Sequence, residues 1–490
     1  MHSYTRIRHS LNKQASVTNG GLFCKVLAAF LVSALLLAIF ASADAVPVFP
    51  LTFTLLAING VLSIYGQLEA IRALSPLHYI SFLFCYLFMS LMPILQIGYK
   101  IDPVFNFHEV VLLTSVAGLI FTLFGFVSIR DLKNKVPVIR ELVTHETASA
   151  EERPNYILLA GLVLAFSLAT ALIFHRSLFT SRDAFGYAVA GAFGDKTTGG
   201  ALAGFLMQTP FFGAAMGLRT SLLKRDKFWI ATFSVLLLVS LVINNPLITS
   251  RFKLAGLIFF FVDYFFRGKR IKLLIGVLVL GISLAPMFQI FRYEGTTYRD
   301  TTYGDKYIST DYDAFQMICY TFLTVDRNGV SWGSNLVGAV LFWVPRSMWR
   351  EKPEPSSFEI YYTAHRYKEV GTNNLSVPLM IEGYYAFSWV GLCLISMVYW
   401  WGITRLYLRS LRSSDSLVFV LRCVVTGVVL IVLRGPLVIG STALIGNFAA
   451  ALLAWRVFRE WKPRLVRGTR KLGLSRMGRL ARAVPQGLES

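Results

Sequence analysis

Five cations, Arg251, Arg292, Arg346, Lys352 and Arg434, stand where apolar runs give way to polar sequence. Guanidinium forks match phosphate oxygens in pairs, and lysine adds a compact point charge. Gathered around one mouth, they would make a site for a diphosphate. Taken singly, each is also placed to snorkel toward lipid headgroups. Glu382 is the one acid in the apolar stretch PLMIEGYYAF, Pro378–Phe387. Burial would raise its pKa toward general-base duty, and pairing with one of the arginines is the competing reading. His365 is the single histidine between Arg292 and Ser388 and is the second candidate base, although a lone loop histidine is more often unremarkable. Tyr384, with tyrosines such as Tyr361, Tyr362 and Tyr367, offers flat faces suited to stacking on sugar rings.

The elements that must position these residues are membrane helices. Only 15% of the residues are charged and 55% are hydrophobic, whereas soluble domains carry about 25% charge. Apolar runs near 24–43, 51–67, 78–97, 110–128, 156–174, 201–218, 228–247, 254–266, 272–290, 388–404, 416–433 and 437–455 each approach the ~20 residues that span a bilayer. The expected fold is an all-α polytopic membrane protein of about twelve transmembrane helices. Residues 1–291 would hold the first nine spans, 292–387 one large loop, 388–455 the last three spans, and 456–490 a basic tail. The first apolar stretch follows Arg6, Arg8 and Lys13 and reads as a retained signal anchor.

The net charge of +21 lies mostly in inter-helix connections and the tail, not in a nucleic-acid-binding face. Every strongly basic connection falls on one parity, which puts both termini in the cytoplasm and the large loop outside. Leu336–Val344 is too short to cross and reads as a re-entrant or interfacial helix ended by Pro345. On this topology Arg176, Arg251, Arg292 and Arg434 face outward, against the usual bias. A charge at membrane depth costs ~2.5–3.5 kcal/mol even on insertion scales.

In Phe342–Pro353, two prolines fix a turn that would present Arg346 and Lys352, and its two tryptophans suit an interfacial anchor equally well. Asp311-Tyr312-Asp313 has the DxD pattern of metal-holding nucleotide-sugar enzymes, but it lacks the βα context and reads as chance. No CxxC pair is present among the five cysteines, so neither a metal site nor a disulfide framework is expected. P-loop, GxSxG, HExxH and GxGxxG motifs in working context are missing too, which argues against an ATPase, a protease or a dinucleotide enzyme.

The arrangement resembles the bacterial oligosaccharide repeat-unit polymerases, the Wzy-type O-antigen polymerase family. The resemblance rests on the span count, the large loop and four local stretches: SRF (Ser250–Phe252), VPRSMWREKP (Val344–Pro353), NLSVPLMIEGYYAFSWVG (Asn374–Gly391) and RGP (Arg434–Pro436). It implies a multi-pass protein of the bacterial inner membrane acting on undecaprenyl-diphosphate-linked oligosaccharide. A growing chain would pass from its lipid diphosphate to a new lipid-linked unit at the periplasmic face. Arg251, Arg292, Arg346, Lys352 and Arg434 would hold the diphosphate, Tyr384 a sugar, and Glu382 or His365 would take the proton from the attacking hydroxyl. No cofactor is implied. Membrane lipids and a polysaccharide chain-length regulator are the implied partners.

Two rival readings share much of this pattern. An O-antigen ligase would use the same donor and pass the glycan to a lipid A core. A flippase or exporter would need charge in mid-membrane, for which Asp263 and Arg422 are the candidates, and it would not need the long polar segment.

Overall fold

In a bilayer, backbone polar groups find partners only within their own helix or a closed barrel, so apolar runs of about 20 residues fold as helices. The computed structural model describes residues 23–143, 154–179, 182–193, 196–245, 251–266, 312–344, 348–367, 375–412 and 416–459, with a few isolated positions between. Among them no β-strand forms.

The first half of the described chain comprises α1 (Phe23–Ala41), α2 (Pro50–Ala73), α3 (Pro76–Gly98), α4 (His108–Val143) and α5 (Tyr156–Phe174). Then come α6 (Arg182–Phe193), α7 (Lys196–Lys224), α8 (Lys227–Ile243) and α9 (Arg251–Phe265). The polar segment contributes α10 (Ala314–Asn328), α11 (Ser334–Val340) and α12 (Ser356–His365). The chain returns to the bundle through α13 (Leu379–Arg412), α14 (Ser416–Arg434) and α15 (Leu437–Phe458). Nine of the described helices, α1 to α5, α7 and α13 to α15, are long and apolar enough to cross a membrane. The protein is an all-α polytopic membrane protein.

Helices α8 and α9 occupy expected span positions but run only 17 and 15 residues. The expected span at 272–290 lies outside the described residues. Several helices outrun their apolar centres, α4 most of all at 36 residues, because its polar end continues the same hydrogen-bond ladder into Lys133 and Lys135. The seven-residue α11 is too short to cross, as expected, but it begins and ends earlier than the apolar run suggests.

Proline sets the shape of α3. Pro93 has no N–H to give to the carbonyl of Met89, and a π-helical turn at Leu87–Leu91 precedes it. Asn59 of α2 fills the vacancy, donating from Nδ2 to Met89 O at 2.7 Å, while Ser90 Oγ donates to Leu56 O. A polar bend inside the bundle is thereby closed by a neighbouring helix.

Two apolar cores result. One joins α1 to α4 with α10, α12, α13 and the last turns of α14; the other joins α5, α7, α8, α15 and the first turns of α14. Helix α9 contributes to both, through Phe259 and Val262 to the first and Leu257 and Phe260 to the second. It lies directly on α14: a Cβ on Gly256 would stand 2.1 Å from the Gly427 carbonyl oxygen. Deeper along the pair, Arg422 Nη2 meets Asp263 Oδ1 at 2.9 Å and Thr426 Oγ1 donates to Asp263 Oδ2 at 3.0 Å, both charges being buried. The basic ends of α4 and α13 line one recess at one end of the bundle, where Tyr407 Oη of α13 also donates to Ala73 O of α2.

Candidate functional site

At the opposite end, the described part of the polar segment is built into the bundle. The loop after α3 supplies Asp102, whose Oδ1 accepts Val104 N–H at 3.0 Å and Tyr320 Oη at 2.6 Å. Gln96 Nε2 donates to Tyr312 O at 2.9 Å. These contacts seat α10 against α3 and α4, and its residues from Ala314 to Thr321 are buried. Thr324 Oγ1 then reaches Thr363 Oγ1 at 2.9 Å, joining α10 to α12.

Cys319 and Tyr320 sit at this joint. Burial pushes the Cys319 thiol up to about 12, so it stays protonated and inert at neutral pH. Burial and the adjoining Asp102 carboxylate raise the Tyr320 phenol as well, keeping it a hydrogen-bond donor.

Two carboxylates organise the centre of this end. Asp313, just ahead of α10, accepts Arg434 Nη2 at 3.0 Å and the Ser376 backbone N–H at 3.2 Å, and Ser376 Oγ also donates to it. Arg434 ends α14 and lies over the Phe252 ring, 4.3 Å from its centroid. Its Nε is buried without a partner among the described residues. Glu382 is 2% exposed and accepts three neutral donors. Asn335 Nδ2 of α11 reaches Oε2 at 2.7 Å, Ser356 Oγ of α12 reaches Oε1 at 2.7 Å, and Leu437 N reaches Oε1 at 2.8 Å. Asn335 is oriented by Ser331 Oγ, which donates to its Oδ1.

The local chain explains why these groups meet. Gly435 and Pro436 break α14 from α15, and Pro436 has no N–H to offer, so the first orphan donor of α15 belongs to Leu437. A carboxylate at a helix N-terminus is favoured there by the helix dipole. Glu382 reaches it because α13 is not straight. Phe387 and Ser388 (φ 54°) leave helical geometry, and the turn before them folds back until the backbones of Gly383 and Gly391 touch. Any Cβ at either glycine would strike the other's carbonyl.

Against this geometry the sequence candidates separate. Glu382 and Arg434 stand at the centre, held by different partners, and among the described residues no cation pairs with Glu382. The described partners of Glu382 are neutral donors, while Arg292 and Arg346, two of the arginines that could pair with it, lie outside the described residues. Tyr384 is buried, packed at 4.3 Å between ring centroids against Phe322, with Trp389 at 5.4 Å, and offers no open face for a sugar. Lys352 turns inward onto backbone carbonyls. It is 7% exposed, and its Nζ donates to Phe342 O at 2.7 Å and Val344 O at 3.0 Å, capping carbonyls after α11. His365 ends α12, exposed and stacked 5.5 Å from Tyr361, and no contact joins it to Glu382 among the described residues. Arg251 begins α9, one residue before the Phe252 ring that carries Arg434. Arg292 and Arg346 lie outside the described residues.

Asn335 and Ser356 are central here and were not candidates in the sequence, while Asp313 reads there only as part of a chance DxD pattern and Ser376 only as a polar neighbour of Glu382. For Asp313 the usable signal was its place immediately before α10, although its side chain goes to Arg434 and Ser376 and does not cap that helix. Asn335 and Ser356 carry no comparable mark. Among the described residues, no group of three or more His, Cys, Asp or Glu side chains could hold a metal ion. Compared with protein-family models, curated proteins and solved structures, the chain matches none.

Proposed function

We propose that this protein joins oligosaccharide repeat units carried on undecaprenyl diphosphate, a glycosyl transfer carried out at the outer face of a bacterial inner membrane. The observation that carries the reading is the short junction from Arg434 to Leu437. Within four residues it touches an arginine anchored by Asp313, whose Nε has no partner among the described residues, and a buried carboxylate that no described cation pairs with.

In the transfer, the acceptor hydroxyl oxygen attacks the anomeric carbon of the donor. The bond from that carbon to the diphosphate oxygen breaks, and its electron pair leaves with the lipid diphosphate. Arg434, fixed on Phe252 and Asp313, is preorganised to meet the charge that develops there. Arg251, one residue before Phe252 at the start of α9, and Arg292 and Arg346 of the polar segment would extend that field. Glu382 would take the hydroxyl proton through Oε2, which among the described residues has a single hydrogen-bond donor and so keeps lone-pair capacity. The lipid-facing helix surfaces suit a long prenyl tail.

Deleting the chromosomal copy in the host and resolving its surface polysaccharide on a gel tests the reading. Collapse of the ladder to single repeat units is the expected result, with recovery on return of the wild-type chain. Long chains persisting on the prenyl carrier while absent from lipid A would mean a ligase. Repeat units confined to the cytoplasmic leaflet would mean a flippase and overturn the arginine site.

A further inference from the structure

The basic end holds a cavity of about 590 Å³ between α4 and α13, lined by Lys135, Trp401, Arg405, Leu408, Arg409 and Arg412. Four cations converge on one recess. Among the described residues no carboxylate pairs with Arg405, Arg409 or Arg412, while Lys135 meets Asp131 at 2.6 Å in a half-exposed pair. Arg405 lies 5.5 Å from the Trp401 ring centroid, so one wall combines a cation with an exposed interfacial aromatic.

The spacing on α13 continues this recess into the membrane. Leu394, Val398, Trp401, Arg405, Leu408 and Arg412 recur every three or four residues and share one helical face. The members nearer the bundle centre, Leu394, Val398 and Trp401, are exposed and apolar. On α4, Leu123 and Val127 are exposed at the same interval ahead of Lys135. Helix ends rich in unpaired cations would be satisfied by water alone. An apolar stripe that runs into those cations calls for an amphiphile with an anionic head.

We propose that this cavity binds an anionic glycerophospholipid, with its phosphates among Arg405, Arg409, Arg412 and Lys135 and its acyl chains along the exposed stripe of α13 and α4. The occupant is a resident membrane lipid and not the substrate, because the site lies at the end of the bundle opposite Glu382 and Arg434. Basic recesses between membrane helices take phosphate headgroups by this logic.

The test is native mass spectrometry of the full chain, stripped in detergent and then offered equal amounts of tetraoleoyl cardiolipin and dioleoyl phosphatidylcholine. The wild type is expected to retain cardiolipin in preference. Each arginine-to-glutamine change should lower retention about fivefold, and Arg405→Gln/Arg409→Gln/Arg412→Gln together on the order of a hundredfold. Arg405→Lys/Arg409→Lys/Arg412→Lys, which keeps the charge, should keep most of it. Should the triple variant fail to fold, Lys135→Gln alone must still lower retention. Arg225→Gln, at the same basic end outside the cavity, must not. Equal retention of both lipids, an equal loss in Arg225→Gln, or displacement of the lipid by inorganic pyrophosphate at matching concentration would overturn the proposal.

Discussion

Glu382 accepts the backbone N–H of Leu437 at 2.8 Å, across the break that separates α14 from α15. That single bond ties the re-entering start of α13 to the last membrane hairpin. With the Asn335 and Ser356 bonds it also locks α11 and α12 onto the same point. The polar segment is thus held by a carboxylate whose partners come from three separate elements.

Replacing Glu382 by alanine would strand three buried donors, and unmade hydrogen bonds of this kind cost about 1–3 kcal/mol each. Glu382→Ala is expected to lower the thermal midpoint in detergent by more than Glu382→Gln, which keeps the volume and one acceptor oxygen. If Glu382 is the base, Glu382→Gln should reduce transfer by about 10²–10⁴-fold with the fold retained. Unfolding curves and product ladders on the same preparations separate the two roles. A glutamine variant that is both stable and fully active would leave Glu382 as a structural clamp alone.

Arg434 and Asp313 should be energetically coupled. In a double-mutant cycle with Arg434→Gln and Asp313→Asn, the expected interaction is about 1–2 kcal/mol, in the lower part of the range for contacting pairs because both side chains keep some exposure. Independent, additive losses would mean that the ion pair contributes nothing to holding α10 on α14.

The two partners of that pair differ sharply in how visible they are from sequence. Arg434 stands out because arginine at the non-basic end of a helix runs against the charge bias of membrane proteins. Asp313 offers no such contrast, since its partner lies 121 positions away and the DxD pattern around it says nothing of Arg434. The membrane helices are legible because apolar length decides them. The fold-back at Phe387–Ser388 is not, because it depends on two glycines eight residues apart meeting backbone to backbone. Lys352 misleads for the same reason: a lysine in a proline-bounded turn reads as an offered charge until the carbonyls of Phe342 and Val344 are seen to occupy it.

Inside the bundle, Arg422 and Asp263 form a buried pair with side chains 2% and 0% exposed. Removing one partner leaves an uncompensated charge, a loss of about 3–5 kcal/mol, whereas replacing both by apolar residues is often neutral. Arg422→Met alone should therefore unfold far more readily than Arg422→Met/Asp263→Leu. If the double variant is no more stable than the single one, the pair has a role beyond joining α9 to α14, and proton coupling by Asp263 becomes the question to pursue.

The alkaline limb of stability should carry the signature of Cys319. Helix α10 is not among the crossing helices, yet Cys319 is fully buried with its Sγ 3.3 Å from Thr114 Oγ1, and its thiol is pushed from 9.0 to about 12. A folded-state pKa above the unfolded value means that the folded chain holds this proton more tightly. The stabilisation is complete below the unfolded pKa near 9 and drains away as pH rises toward about 12. Tyr320 shifts in the same direction and adds its own loss once pH passes the ordinary tyrosine range. Cys319→Ala removes the first contribution and leaves the second. Its unfolding midpoint should track the wild type at a constant offset below pH 9 and fall less steeply above it. Parallel curves across the whole range would mean that the thiol already reaches solvent, and that α10 is less firmly seated on α4 than its buried face indicates.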